Sequence, residues 1–287
     1  MESSQLIDVE KRARYIYILA ACSIDLTFQK TSIETSFDLE SVMSNYNCRN
    51  PCESKIRSIQ FQINEAYKWC IDNVPLSYVD GARTLPLIKS IIVGESIHKS
   101  ELLTASSIQS VGNVILSADW PLPSIYRLGS LFVHEATHQI LFLREVEGYK
   151  VRNKSIGYSP WKGTLRHGRL IWHSFWSFSC QLAFLFSRIF SEKQIIKEDE
   201  SIIEYLANIF AKISVCYKEL EERKILDCKE LSFCKSAFNE ISKFRDTLGS
   251  IFSVDLVFEN AIDVEQKLYE KWANSLILES LKNNTLR

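Results

Sequence analysis

Apolar residues recur at the 3.6-residue spacing of amphipathic helices along most of this 287-residue chain. Nine glycines and six prolines are few for this length, so turn signals seldom interrupt the pattern. The periodicity predicts helices near residues 4–27, 53–73, 124–147, 165–190, 194–226, 229–250 and 257–282. We therefore expect a mainly α-helical protein.

Two short segments have the composition of β-strands instead. They read "LIKSIIVG" and "GNVILSA", and both are rich in β-branched residues. Both precede the helix predicted near 124–147. The fold class that follows is α+β, mainly α-helical, with a small β-sheet beside that helix and further helices after it.

The most apolar window runs from Leu170 to Phe190 and is about as long as a membrane span. It nevertheless contains polar side chains, among them His173, Ser177 and Gln181. We interpret it as a buried helix with one solvated, polar face, and we expect no membrane association.

Composition and charge narrow the function classes. The formal net charge is −1, so the chain does not have the basic excess typical of proteins that bind nucleic acid or anionic membranes.

The eight cysteines include no C-x-x-C pair, which favours reduced thiols and a cytoplasmic location. The N-terminal run "KRARYIYILAAC" resembles a lipoprotein signal, but acidic residues precede it, and an amphipathic first helix is the preferred interpretation.

The stretch "LFVHEATHQI", residues 131–140, contains the motif His-Glu-x-x-His at His134, Glu135 and His138. Helix positions i and i+4 lie on one face, so the two imidazoles can bind one ion. The flanking apolar residues predict a buried helix, where such polar groups are costly unless they are paired. A metal site is the favoured interpretation, and core histidines bonded to the backbone are the alternative.

A third ligand would decide the chemistry. The metzincin pattern requires a histidine at the position of Arg144 and is excluded. A thermolysin-like zinc site requires a downstream glutamate, but residues 148–191 contain no acid. The earliest plausible one on a helix is Glu204, and the alternative for Glu204 is a solvated acid on the helix surface.

The acid-free segment is rich in cations, which suits an anionic ligand near the metal. The alternative is that these cations pair with acids elsewhere in the fold. They are Lys150, Arg152, Lys154, Lys162, Arg166, Arg169 and Arg188.

Beyond the motif, "IGYSPWKGTLRHGRLIWHSFWSF" contains a Pro-Trp-Lys turn ending at Lys162, followed by Arg166, His173 and Phe178. With the His-Glu-x-x-His helix, these residues resemble the bacterial HExxH-type 2-oxoglutarate-dependent peptide β-hydroxylases that modify ribosomally made peptides. The resemblance covers about residues 110–190. Lys162 stands where that family has arginine.

The resemblance implies an oxygenase that uses Fe(II), 2-oxoglutarate and O2 to hydroxylate a β-carbon in a precursor peptide. It implies His134, His138 and His173 as metal ligands, Lys162 and Arg166 as the cosubstrate site, and Glu135 as a catalytic-site residue. It also implies a zincin-like setting for the motif. We expect a single domain, 1–287, with a metal-site core at about 85–190 and a helical C-terminal part at about 194–287.

Two other functions remain open. A zinc metallopeptidase would use Glu135 as general base and His134, His138 and a downstream acid such as Glu204 as zinc ligands. A peptide-binding module with a decayed site is the third, and the intact histidine pair disfavours it.

Overall fold

The computed structural model describes residues 3–21, 34–36, 48–73, 88–96, 103–106, 112–118, 122–146, 151 and 155–285. The chain divides into two compact units. The first comprises residues 1–149 and 183–199, and the second comprises residues 150–182 and 200–287. The single-domain organisation stays a prediction.

The described part of the chain is mainly helical, as the periodicity predicted. The helices are α1 (Ser3–Ala21), α2 (Glu53–Asn73), α3 (Ile125–Val146), α4 (Gly168–Ser191), α5 (Gln194–Glu198), α6 (Ile202–Glu222), α7 (Cys228–Phe252) and α8 (Asp255–Thr285). Residues 22–27 of the first predicted helix lie outside the described residues. The other predicted helices are confirmed to within a few residues, apart from two differences.

The first difference is that residues 165–167 belong to a strand, so the predicted helix 165–190 begins at Gly168. The second is that the predicted helix 194–226 is interrupted at Asp199. The backbone of Asp199 is not helical (φ −133°, ψ 85°). Its carboxylate accepts bonds from Arg127 Nε (2.8 Å) and Nη2 (2.9 Å), so a tertiary ion pair accompanies the interruption of the helical pattern.

The first unit contains a five-stranded sheet. Its strands are β1 (Glu34–Ser36), β2 (Cys48–Arg49), β3 (Ser90–Ser96), β4 (Leu103–Ser106) and β5 (Asn113–Ala118). The order is β1-β3-β5-β4, with β1, β3 and β5 parallel and β4 antiparallel to β5. The short β2 pairs with the end of β3. Both sequence segments predicted as strands are therefore confirmed, as β3 and β5.

Alternation along the central strands builds the core of this sheet. Ile91 and Val93 on β3 and Val114 and Leu116 on β5 are buried, while the residues between them are less so. Period-two burial of this kind covers one face of a sheet. Helix α3 contacts the edge strand β4. The predicted juxtaposition of a small sheet and the His-Glu helix is thus present within one unit.

Close packing of α2 against α3 depends on Gly129. A β-carbon at this position would lie 2.7 Å from Trp69 Cε3 and 3.0 Å from the carbonyl oxygen of Ala66. Trp69 is itself held between Tyr126 and Phe184 by edge-on ring contacts. The indole therefore has little freedom to move away.

We predict that Gly129→Ala lowers the free energy of unfolding by about 1–3 kcal/mol, the usual cost of overpacking. This loss should exceed the gain of about 1 kcal/mol that alanine brings to a helix interior. Urea denaturation measures the change. Phe61→Ala on α2 is the control, because Phe61 is 66% exposed and its loss should cost less than about 0.5 kcal/mol. Equal stability of Gly129→Ala and the native protein would contradict the packing account.

The second unit consists of the hairpin β6 (Ile156–Ser159) and β7 (Thr164–His167), the first part of α4, and helices α6 to α8. Buried Glu219 on α6 joins several of these elements. Its carboxylate accepts bonds from the backbone N–H of Tyr158 (2.5 Å), from Arg223 Nε (2.6 Å) and from Tyr269 OH (2.7 Å). These contacts fix β6 and α8 against α6.

Helix α4 corresponds to the most apolar window of the sequence and is buried, as predicted. The predicted solvated face is wrong: His173, Ser177 and Gln181 are buried as well. Gln181 Nε2 donates to Tyr205 OH at 2.8 Å, so protein groups replace water at this position. Within the described ranges, no helix combines the length and hydropathy needed to cross a membrane.

Candidate metal centre

Helix α3 begins at a capped and anchored N-terminus. Ser124 Oγ accepts a bond from the backbone N–H of Arg127 (3.3 Å), which is typical of an N-cap residue. The same hydroxyl donates to Asp199 Oδ2 (2.6 Å), and Asp199 also receives the Arg127 guanidinium. A cap and a bidentate ion pair therefore hold the start of the helix that carries the motif.

The His-Glu-x-x-His motif lies in the middle of α3, with its two imidazoles side by side. The Nε2 atoms of His134 and His138 are 3.1 Å apart, and the ring planes meet at 70°. His134 is 6% exposed, whereas His138 is more open and stacks on Phe142 at 6.2 Å. The structure therefore brings this predicted pair together.

The separation of the two nitrogens fits a shared metal ion. Two nitrogen ligands about 2.1 Å from one ion lie about 3.0–3.4 Å apart when the angle at the ion is about 90–110°. The observed 3.1 Å falls in this range. The same distance also allows a hydrogen bond between neutral rings, in which one Nε2 donates and the other accepts.

Glu135 is the most deeply buried member of the motif, at 1% exposure. Burial raises the pKa of its carboxyl group to about 7, and the hydroxyls of Thr104 and Ser106 on β4 lower it in part. Glu135 Oε2 and Ser106 Oγ nevertheless have no hydrogen-bond partner among the described residues. A buried carboxylate oxygen without a partner fits a site completed by a group outside the described chain, such as water at a metal.

His173 and the two predicted cosubstrate residues belong to the second unit. His173 is 3% exposed on the first part of α4, and its ring makes an edge-on contact with Trp172. Lys162 is exposed in the turn of the β6–β7 hairpin, where its backbone N–H donates to the backbone carbonyl of Ser159. Arg166 lies on β7 and is partly exposed.

The sequence left open whether the cations of the acid-free segment pair with acids. Arg188 does: its guanidinium donates to Glu10 Oε1 (3.1 Å) and to Asn73 Oδ1 (3.0 Å). Lys162 and Arg166 make no ion pair with any acid in the described part of the chain. Three more of these cations, Lys150, Arg152 and Lys154, lie outside the described residues.

The described residues do not provide a complete set of metal ligands. Within the described ranges, no group of three or more His, Cys, Asp or Glu side chains has an arrangement that could hold a metal ion. Glu204, the ligand required by the peptidase interpretation, is exposed in the first turn of α6. The pair on α3 is thus observed, and the third ligand stays a prediction.

Two features near these residues were not foreseen from the sequence. Thr104 and Ser106 reach Glu135 from an edge strand that lacks the apolar alternation of β3 and β5. Trp161 stacks flat on Phe178, with ring centroids 3.9 Å apart, and so fixes the hairpin turn on α4. The aromatic residues were visible in the sequence, but nothing in their spacing indicated this contact.

No family model matches the chain, and no curated protein sequence matches it. The resemblance to the peptide β-hydroxylases accordingly depends on the motif residues and their spacing.

Proposed function

We propose that this protein is a non-haem Fe(II)- and 2-oxoglutarate-dependent oxygenase that hydroxylates a β-carbon in a ribosomally made peptide. The observation that supports a metal enzyme best is the pair of Nε2 atoms 3.1 Å apart on a buried helix. The choice of iron and 2-oxoglutarate rests on the resemblance to the peptide β-hydroxylases, which Lys162, Arg166 and His173 carry in the sequence. A zincin-like arrangement of α3 and the sheet is part of the proposal.

His134 and His138 would hold the metal, with His173 as the third ligand that the resemblance implies. Iron held by these three imidazoles would supply oxidation by O2 coupled to decarboxylation of a keto acid. The chain's own part is to fix these ligands, orient the peptide and exclude water. Because α3 is buried, it can fix the two histidine ligands and exclude water.

Lys162 and Arg166 are proposed to bind the distal carboxylate of 2-oxoglutarate. Neither cation has an acid partner in the described ranges, and the hairpin leaves both accessible. Arg166 offers a planar fork for a carboxylate, whereas Lys162 acts as a point charge. The Trp161–Phe178 stack would keep the turn, and therefore Lys162, in place.

We predict that Lys162→Ala and Arg166→Ala each weaken 2-oxoglutarate binding about tenfold or more. A charge-assisted hydrogen bond to a carboxylate contributes roughly 1.5–3 kcal/mol. Calorimetric titration of the iron-loaded protein without oxygen measures the affinity. Lys243→Ala is the control, since Lys243 is an exposed lysine of the same unit that pairs with Glu240. Unchanged 2-oxoglutarate affinity in both test variants would show that the cosubstrate binds elsewhere.

A zinc peptidase is the second candidate, and the position of Glu135 favours it. Its buried carboxylate lies next in sequence to a histidine of the pair and has an oxygen without a partner. A general base in this motif takes a proton from water. In the oxygenase, Glu135 would instead accept a hydrogen bond from a metal ligand and so orient that ligand. Substitution of Glu135 distinguishes the two functions.

A further inference from the structure

Strand β7 of the second unit pairs with β6 on one side, and no other described strand pairs with it. The N–H of Gly168 donates to the carbonyl of Ser155 across the hairpin at 2.7 Å. Hydrogen-bonded and non-hydrogen-bonded pairs alternate along an antiparallel ladder, so His167 and Leu165 belong to non-hydrogen-bonded pairs. Their main-chain N–H groups therefore point away from β6.

The other edge of the hairpin is already occupied, which supports this assignment. Tyr158 lies opposite Leu165, and its N–H donates away from β7, to the carboxylate of Glu219 at 2.5 Å. On the β7 side, Thr164, Leu165 and His167 are exposed. The N–H groups of Leu165 and His167 have no hydrogen-bond partner among the described residues. Strand β7 thus presents an open edge.

The hairpin that carries this edge is held in place at its turn as well as along β6. Gly163 supplies the positive φ of the turn (62°), and Trp161 stacks on Phe178 with ring centroids 3.9 Å apart. A strand that is already ordered loses little conformational entropy when a ligand binds to it. The edge is therefore suited to accept an added strand.

The two faces of the hairpin differ in chemistry along this edge. Leu165 (40% exposed) and its diagonal neighbour Ile156 (53% exposed) give one face an apolar surface. Arg166 projects from the opposite face, because side chains alternate along a strand. An added strand alternates in the same way, so it would place apolar side chains beside Leu165 and the others beside Arg166.

The chain around the hairpin is strongly basic. Residues 150–169 include six cations and no acid. The cations are Lys150, Arg152, Lys154, Lys162, Arg166 and Arg169. Such a run repels a second copy of the same edge and attracts an acidic segment. A single carboxylate of 2-oxoglutarate at Lys162 and Arg166 would neutralise only part of this charge.

We propose that the outer edge of β7 binds an acidic, extended segment of the peptide substrate as an added strand. The peptide backbone would bond with the main chain of Leu165 and His167, and acidic side chains would lie on the face of Arg166. The inference rests on the proposed function for the identity of the occupant. The contact itself lies within the second unit and requires neither metal nor cosubstrate.

The first test compares two fluorescent decapeptides, one alternating glutamate with valine and the other alternating lysine with valine, with neither metal nor 2-oxoglutarate present. The glutamate peptide should bind at least about tenfold more tightly, because like charges disfavour the lysine peptide. Equal affinities, or no saturable binding of either peptide, would overturn the proposal. Single-stranded DNA that binds as tightly as the glutamate peptide would assign the basic run to phosphate binding instead.

Leu165→Pro tests strand addition itself. It removes an outward N–H that takes no part in the β6–β7 ladder, and proline is tolerated at such edge positions. The variant should bind the glutamate peptide about tenfold more weakly, through the lost hydrogen bond and the obstruction by the proline ring. Leu165→Thr is the matched control, since it keeps the N–H and a residue favoured in strands, and its affinity should stay within about threefold. Native affinity in a folded Leu165→Pro variant would contradict the added strand.

Amide hydrogen exchange of the native protein gives an answer that does not depend on how the variants fold. The glutamate peptide should slow exchange at the amides of Leu165 and His167 more than at Arg166, whose N–H already bonds with β6. Unchanged exchange at Leu165 and His167 would reject the β7 edge as the binding site.

The proposed function fails separately from this inference. Peptide binding at β7 without succinate formation would reject the oxygenase and leave the binding edge established. Succinate formation by a protein whose β7 edge binds no peptide would reject this inference alone.

Discussion

Replacing His138 with alanine is expected to lower metal affinity by more than about 100-fold. The two Nε2 atoms lie at the separation of neighbouring ligands on one ion, and the loss of a ligand should exceed the 10–100-fold cost of losing an outer partner. His173→Ala should have a similar effect, because the resemblance implies His173 as the third ligand. Metal content after purification and titration with Fe(II) without oxygen measure both.

His167→Ala is the control for this prediction. His167 is exposed on β7, and its Nδ1 accepts a bond from the backbone N–H of Arg169 at 3.1 Å. Its removal should leave metal content unchanged. Full metal content in His138→Ala would mean that the two rings are hydrogen-bonded core residues. Loss of metal in Glu204→Ala, with no loss in His173→Ala, would favour the zinc peptidase.

The second large effect concerns Glu135, where the two candidate enzymes differ most. A general acid–base typically contributes about 10²–10⁴-fold to the rate, so a zinc peptidase should lose at least that much activity in Glu135→Gln. The proposed oxygenase needs no proton transfer by this residue at the chemical step. Glu135→Gln should then keep 2-oxoglutarate-dependent turnover within about 10–100-fold of the native rate.

Glu135→Gln is a suitable variant because it keeps the size of the side chain and its capacity to accept hydrogen bonds. Mass spectrometry of a synthetic peptide pool, incubated with iron, 2-oxoglutarate and O2, measures the outcome. We expect a gain of one oxygen in both proteins and no cleavage by either. Metal-dependent cleavage that disappears in Glu135→Gln, without turnover of 2-oxoglutarate, would support the peptidase instead.

Local sequence signals were sufficient for the helices. Helix α2 has the bounds that the periodicity predicts, and α3 and α7 differ from their predicted ranges by one or two residues. The interruption at Asp199 was missed because its partner Arg127 is 72 residues away. The hairpin β6–β7 was missed because its strands are four residues long and β7 is largely exposed, so apolar alternation is weak.

In the candidate site, too, contacts within one helix could be predicted from the sequence, whereas contacts between distant segments could not. The proximity of His134 and His138 follows from their spacing on one helix, and their Nε2 atoms lie 3.1 Å apart. The surroundings of Glu135 depend on Thr104 and Ser106, which come from a strand about 30 residues earlier. No local pattern links such residues, because the contact between them comes from the packing of α3 against β4.

The hydrogen bonds from the indoles of Trp172 and Trp176 to the carboxylate of Glu230 are a further example. The partners are 58 and 54 residues apart, and each has an ordinary local interpretation, as a helix-start acid or as an apolar core residue. In the folded protein these residues are in contact, and Glu230, although glutamate is usually exposed, is a buried hydrogen-bond acceptor.

The most direct test of the proposed function is to incubate the purified protein with Fe(II), 2-oxoglutarate and O2 and to measure succinate formation. The native protein should form succinate in an iron-dependent reaction, and His138→Ala should form none above background. A protein that purifies with one equivalent of zinc, and forms no succinate after iron loading with or without the peptide pool, would contradict the proposal.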